Sequence, residues 1–277
     1  MLEPKTLDKL HTHLRPLVQR SVRLLSRFPP VRGPAITVLG YHRVAAGAGH
    51  LGVAPSTFES HMSCLARMRD QLALMDLDEA VSAVRSAALP GRAVVLTFDD
   101  GWSDFYENAL PIVVRYGVPV TLFVPSRLVG RPGYLTRRQL EEVVRSGVRI
   151  GSHTQTHPDL RKCTDRELDA EVRGSRIDLE DWIGAPVSTF AYPKGLHDER
   201  VVAAVARAGY EAATTTRRGW WRPGVDPMRI PRSFVEDFDA RTFAAAARGG
   251  MNSLGPMDSA ARALLRLGRR ESDRLPA

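Results

Sequence analysis

Two short motifs carry the residue types that metal-assisted hydrolysis needs. Asp99-Asp100-Gly101 sets two carboxylates side by side ahead of a glycine. Alone, it reads as a polar turn closing a strand, because Asp-Gly is a common turn pair. Neighbouring side chains at a strand end point different ways, so one carboxylate can bind a metal while the other faces a substrate. His153-Thr154-Gln155-Thr156-His157 places two imidazoles four residues apart. Alone, these are two surface histidines at a helix start. If the segment is helical, the i,i+4 spacing puts both rings on one face, where they can grip one ion. Two imidazoles and one carboxylate leave a position open for water, the pattern of a catalytic zinc-type site. With Asp100 supplied by a different strand end, the joint reading outweighs the separate ones.

Such residues need a frame to bring them together. Short apolar runs rich in β-branched residues predict strands over 36–41, 72–75, 93–98, 118–124, 148–152, 188–192, 212–216 and 228–234. Between them, helices are predicted over 76–86, 103–116, 136–146, 164–183 and 198–208. Ser56 with Glu59, and Thr164 with Glu167, have the spacing of capping boxes that open helices. Alternation of this kind argues for a parallel sheet with crossover helices. About eight strands in about 215 residues fit a distorted (β/α) barrel, single domain, better than two domains; an open doubly wound sheet is the alternative. No GxxxxGK[ST] loop occurs, so no P-loop nucleotide site is signalled. In a barrel, active residues sit where strands end. The strand ends here deliver His42, Asp99 and Asp100, His153, and Pro193-Lys194-Gly195, and the last predicted strand carries Arg232. His42 is a candidate general acid, since its ordinary pKa suits proton transfer near neutrality.

The chain has 277 residues, 43% hydrophobic and 25% charged, which excludes a disordered chain or a small disulfide scaffold. The net charge of +8 is uneven. Residues 1–34 hold seven basic and two acidic side chains, and 251–277 hold five and three. The middle, 35–250, is almost neutral, which gives no support for a nucleic-acid face. Three units are therefore expected: a basic amphipathic N-terminal segment with a Pro-rich linker (1–34), the barrel (35–250) and a basic tail (251–277). In the first, Leu7, Leu10, Leu14, Leu17, Leu24 and Phe28 lie near helical spacing among basic residues. Such a helix either lies on an anionic membrane or packs on the outside of the domain. Cys64 and Cys163 lack metal-site spacing. No run of about 18 apolar residues exists, and arginines interrupt any signal-peptide core, so a cytoplasmic or peripherally membrane-associated location is expected.

As a set, these residues resemble the polysaccharide deacetylase family, also called the NodB-homology family or carbohydrate esterase family four. Thr97-Phe98-Asp99-Asp100-Gly101 matches its first motif, TFDDG; Ser152-His153 through His157 matches its second, [ST]H-x3-H; Phe190-Ala191-Tyr192-Pro193-Lys194-Gly195 resembles its third. Order and separation agree over residues 36–235. The resemblance implies a metal-dependent hydrolase that removes N-acetyl, sometimes O-acetyl, groups from sugars. It implies Asp99 as catalytic base, and Asp100, His153 and His157 as ligands of one divalent ion, zinc first, with cobalt or nickel as substitutes.

The sequence also departs from the family pattern. Many members carry in the third motif an arginine that orients the base, where Ala191 stands here. They place the acid histidine late, in an LxxH motif, and no such histidine follows residue 197 here. One branch has a permuted order with the histidine in an early Tyr-His pair, and Gly40-Tyr41-His42-Arg43-Val44 resembles it. That branch includes poly-N-acetylglucosamine deacetylases. His42 then takes the acid role, with His197 its rival, and Arg232 is the candidate to orient Asp99. Tyr192, Pro193, Lys194 and Trp102 are the expected substrate-binding residues, with the Lys194 N–H facing the oxyanion. Trp220 and Trp221 line a sugar groove or pack in the core. The expected substrate is an amino-sugar polysaccharide or oligosaccharide. A small acetylated glycoside and an inactive sugar-binding domain are the alternatives. Oligomeric state has no signature in the sequence.

Overall fold

A computed structural model describes residues 20–24, 33–47 and 49–254. The apolar run after the prolines forms β1 (Ala35–Tyr41), buried at every position. A short pair follows, β2 (Arg43–Val44) with β3 (Gly52–Val53). Next come α1 (Pro55–Arg67), β4 (Ala73–Met75), α2 (Leu77–Arg85), β5 (Arg92–Phe98), α3 (Leu110–Tyr116) and β6 (Val120–Val124). The chain continues through α4 (Arg137–Arg145), β7 (Arg149–Ser152), α5 (Asp165–Asp169), α6 (Ser175–Ile183), β8 (Thr189–Ala191) and α7 (Glu199–Arg207). It ends in β9 (Ala212–Thr214), β10 (Ser233–Phe234) and α8 (Ala240–Ala247).

The main sheet is parallel and runs β10-β1-β5-β6-β7-β8-β9. β4 pairs with the first half of β5, and β6 takes over from Leu96 onward. The two ends of the path meet. Ile230 bridges to Thr214 in β9, and three residues later Ser233 pairs with Leu39 in β1. The segment 230–234 thus closes the curl, giving a distorted (β/α) barrel rather than an open sheet.

Strand periodicity sorts the core into two sets. Ile36 and Val38 of β1, Ala93 and Val95 of β5, Phe123, Ala191 and Ala212 point inward. Leu39, Tyr41, Leu96, Phe98, Leu122 and Phe190 point outward against the helices. Extending the same alternation past the strand ends puts His42 on the inner side with Val38, and Thr97 and Asp99 with Val95. Leu77, Ala80, Val81 and Trp221 plug the opposite, closed end.

Several local expectations need correction. The capping box at Ser56 does not form. Pro55 takes the first helical position, where its missing N–H costs nothing, so Ala54 becomes the cap. The box at Thr164 and Glu167 is present, and the same device occurs at Asp76/Glu79 and Thr136/Gln139. The predicted strand 228–234 shrinks to Ser233–Phe234 because Pro227–Arg229 forms a turn and Pro231 cannot donate to a ladder. The predicted helices 103–116 and 164–183 each contain a π-helical turn, at Phe105–Ala109 and Ala170–Gly174.

Of the N-terminal segment, residues 20–24 are helical. Val22 is fully buried in the outer core while Leu24 is 55% exposed, so this turn packs on the domain. The rest of residues 1–32 and the tail beyond 254 lie outside the described residues. Among the described residues, no helix is long and apolar enough to cross a membrane.

Candidate active site

Asp99 lies just past the end of β5, on the inner side, and is almost fully buried. Arg232, wholly buried, meets it from the closing segment with two hydrogen bonds, Nη1 to Oδ1 at 2.6 Å and Nη2 to Oδ2 at 2.8 Å. Two further donors of the guanidinium are also placed. Nη1 reaches Thr97 Oγ1 at 3.1 Å and Nε reaches the Thr215 carbonyl at 3.1 Å. Burial opposes ionisation of Asp99, but the Arg232 charge outweighs it and holds the carboxyl below its ordinary range. A buried carboxylate is thereby kept ionised and fixed in orientation.

Asp100, His153 and His157 converge from two strand ends. Their ligand atoms lie within 4.8 Å of one another. Asp100 Oδ1 is 3.5 Å from His153 Nε2 and 3.6 Å from His157 Nε2. Two donors on a tetrahedral ion, each about 2.1 Å from it, lie about 3.4 Å apart, so these spacings fit a shared divalent ion. His153 Nδ1–H donates to the Ala191 carbonyl at 2.7 Å, which turns Nε2 toward Asp100; burial lowers the pKa of this ring, but Asp100 and Asp99 outweigh it and raise it. Burial and the neighbouring His153 hold His157 down to about 4, so its ring is neutral at pH 7, the ligand form. The other oxygen of Asp100 accepts the Trp102 indole N–H at 3.1 Å.

The histidine loop is not the start of a helix. Thr154 and His157 have φ of 71° and 63°, in the left-handed region. Asp100 and Lys194 share it, so four of the five non-glycine residues of this kind among the described residues sit in the site loops. The loop is pinned from a helical segment that carries no motif of its own. Glu171, on the π turn, accepts the N–H of Gln155 and of Thr156, both at 2.8 Å, and the Thr156 hydroxyl at 2.6 Å. Asp178 holds Ser126 and the Gln155 amide. These acidic residues resemble any solvated helix face in sequence; only the distant loop gives them partners.

His42 follows β1 directly, and its charged neighbours are Asp99, Asp100, Arg232 and His153. Burial lowers its pKa against the pull of the two carboxylates. His197 is not brought into this group. It stacks on Tyr192 with centroids 4.7 Å apart, donates to its own turn at Gly195, and has Arg217, Arg229 and Glu199 as charged neighbours.

The expected substrate contacts divide. Trp102 stacks on Tyr134 at 4.4 Å and lies under the Arg43 guanidinium, half exposed at the rim. Lys194 is exposed and close enough to His157 to affect its charge. Pro193 is buried in the turn Pro193–Gly195. Tyr192 is fully buried and donates its hydroxyl to the Met228 carbonyl at 3.0 Å, so its ring packs in the wall instead of facing a groove. Trp221 is buried at the closed end, its backbone paired with Ile36. Trp220 lies beside it under Arg92. Both tryptophans are therefore remote from the rim.

Comparison with known proteins agrees with this geometry. The family model described as polysaccharide deacetylase matches residues 86–213. That stretch, a little under half of the chain, is similar to polysaccharide deacetylases. The chitooligosaccharide deacetylase of Bradyrhizobium is 36% identical over 139 residues, covering 49% of this chain and 62% of that protein. The poly-β-1,6-N-acetyl-D-glucosamine N-deacetylase of Staphylococcus epidermidis is 26% identical over 177 residues, covering 59% and 61%. The chain thus spans a little under two thirds of each. Among solved structures, the Streptococcus pyogenes deacetylase PplD in complex with acetate matches with a TM-score of 0.70 and 25% identity, over 76% of this chain and 96% of that one. The stretch 86–213 contains Asp99, Asp100, His153, His157 and the Pro193 turn, and leaves His42 and Arg232 outside.

Proposed function

We propose that this chain is a metal-dependent N-deacetylase acting on an amino-sugar polysaccharide or oligosaccharide. One observation carries the reading: the buried Asp99–Arg232 pair stands beside the Asp100, His153 and His157 trio on one barrel rim. A divalent ion held by that trio, zinc in the first instance and cobalt or nickel in its place, supplies a polarised acetyl carbonyl and an acidified water.

The chain's own residues do the rest. Asp99, ionised by Arg232, accepts the proton of the attacking water. Arg232 keeps both carboxylate oxygens in place through this step. The Lys194 N–H, on the turn at the rim, donates to the developing oxyanion. His42, in its protonated form, gives its proton to the sugar nitrogen as the C–N bond breaks. The products are acetate and a free amine. Trp102, Pro193 and Lys194 border the open side, where the sugar binds.

The named relatives are, by their names, a deacetylase of chitooligosaccharide and an N-deacetylase of poly-β-1,6-N-acetyl-D-glucosamine. Release of acetate from N-acetylglucosamine oligomers tests the activity. Faster turnover of a small acetylated glycoside than of any oligomer would favour the alternative substrate class. Metal binding with no turnover would favour a sugar-binding domain.

The N-terminal segment is proposed to touch an anionic membrane surface. Arg20, Arg23, Arg241 and Arg248 surround Leu24, Ala244 and Ala245 on one outer face. This adds a folded basic patch to the charge already noted in residues 1–34.

A further inference from the structure

Phe234 lies between the two ends of the proposed proton path. Its ring stacks on the His42 imidazole, with centroids 4.8 Å apart and planes 26° from parallel. The Arg232 guanidinium carbon is 4.9 Å from the centroid of the same ring. Among the described residues, the His42 ring has this stacked partner and no hydrogen-bond partner. That is unusual for a half-buried histidine, whose orientation is normally fixed through one ring nitrogen.

The sequence leaves room for the stack. Gly40 pairs with Phe234 across the β1–β10 ladder. A Cβ on Gly40 would lie 2.6 Å from Phe234 Cε1, so any other residue would push the ring away. With no side chain at Gly40, the ring lies flat over the strand and reaches His42, two residues on and on the same face.

We infer that Phe234 is a positioning residue: its ring, seated over Gly40, sets the orientation of the His42 imidazole toward the sugar nitrogen. The inference rests on the reading of His42 as general acid. An aromatic face does this without engaging either ring nitrogen, so both stay available for proton transfer. Leucine in its place retains apolar volume and loses the face.

The test separates acid catalysis from structural damage. An amide leaves only after its nitrogen is protonated, whereas the nitrophenolate of 4-nitrophenyl acetate leaves unaided. The zinc-loaded full chain, Phe234→Leu, Phe234→Tyr and His42→Ala are assayed on N-acetylglucosamine pentamer and on the ester. For Phe234→Leu, kcat on the pentamer should fall about 10- to 100-fold, the cost of a misplaced group, with KM and ester turnover near wild type. Phe234→Tyr should restore the amide rate. His42→Ala should show the same amide-selective loss, larger in size. If His42→Ala shows that selectivity and Phe234→Leu does not, or if Phe234→Leu lowers both reactions equally, the positioning role is wrong while the acid assignment stands. If His42→Ala shows no selectivity, or the wild type leaves the pentamer intact, the functional reading fails and takes this inference with it.

Discussion

The guanidinium of Arg232 grips both carboxylate oxygens of Asp99, at 2.6 and 2.8 Å, across 133 residues of sequence. Neither partner reaches solvent to any extent. A buried charge pair of this kind is costly to break from one side, because the survivor is left unpaired. Its worth is orientation of a carboxylate that must accept a proton.

Arg232→Lys should therefore not behave as a conservative change. Lysine offers a point charge in place of a planar fork. The expected result is a fall in kcat of about 10- to 100-fold from a loosened base. Arg232→Ala should also destabilise the fold by about 3–5 kcal/mol, read as a lower urea midpoint. Equal stability of Arg232→Ala and wild type would show that the pair is not buried as described.

Glu171 holds the histidine loop through three donors and touches no ligand atom. Glu171→Gln turns an amide N–H against one of those donors. Zinc affinity, measured by titration against a chelator of known strength, should weaken about 10- to 100-fold, the usual effect of losing an outer-shell partner. Unchanged affinity would mean that the loop holds its shape without it.

The rim was legible in the sequence to the extent that chemistry clusters locally. TFDDG and HxxxH are contiguous, and the pattern of apolar runs placed Asp99 and His42 at strand ends. What was not legible depends on distance or on backbone conformation. The HxxxH spacing suggested a helix, but Thr154 and His157 are left-handed: the Thr154 carbonyl accepts the Ser126 N–H, and the His157 N–H turns back to Thr154 Oγ1. Pro55 displaced a capping box that the Ser56–Glu59 spacing suggested. Tyr192, expected to face sugar, is turned into the wall by the Met228 carbonyl. Glu171 and Phe234 carry no local pattern, since each acts on a segment that only the closed barrel brings near.

Burial should make stability pH-dependent through His61. Its Nε2–H donates to the Phe238 carbonyl at 2.7 Å and its Nδ1 accepts the Tyr41 hydroxyl at 3.1 Å, so the neutral ring is the one accommodated. Burial, opposed by the Phe238 bond, brings its pKa from 6.5 down to about 4. The unfolded chain then binds the proton more readily than the folded one between these values. Stability is fully present above the unfolded pKa and declines as pH falls toward the folded one. The contribution of this residue between pH 7 and pH 5 is on the order of 2 kcal/mol. Urea unfolding of His61→Gln at both pH values should show a smaller pH difference than wild type. An identical difference would assign the effect to other groups.

The basic outer face should bind anionic bilayers in a salt-dependent way. Sedimentation with phosphatidylglycerol vesicles should pull down the full chain at low ionic strength, and phosphatidylcholine vesicles should not. Each arginine near such a surface contributes about 1 kcal/mol, so Arg20→Glu with Arg241→Glu should reduce binding at least tenfold. Equal binding to neutral and anionic vesicles would refute an electrostatic contact.

The central claim is that one ionised carboxylate and one metal site together hydrolyse an acetamide. The most direct measurement is acetate released from N-acetylglucosamine oligomers, made in parallel on the zinc-loaded chain, the chelator-stripped chain and Asp99→Asn, with zinc content determined for each. The loaded chain should release acetate, and the stripped chain should regain activity when zinc returns. Asp99→Asn should hold a full complement of zinc and release almost none, because asparagine keeps the shape of the carboxylate without accepting a proton. Acetate release by Asp99→Asn or by the stripped chain at the rate of the loaded enzyme would contradict the account.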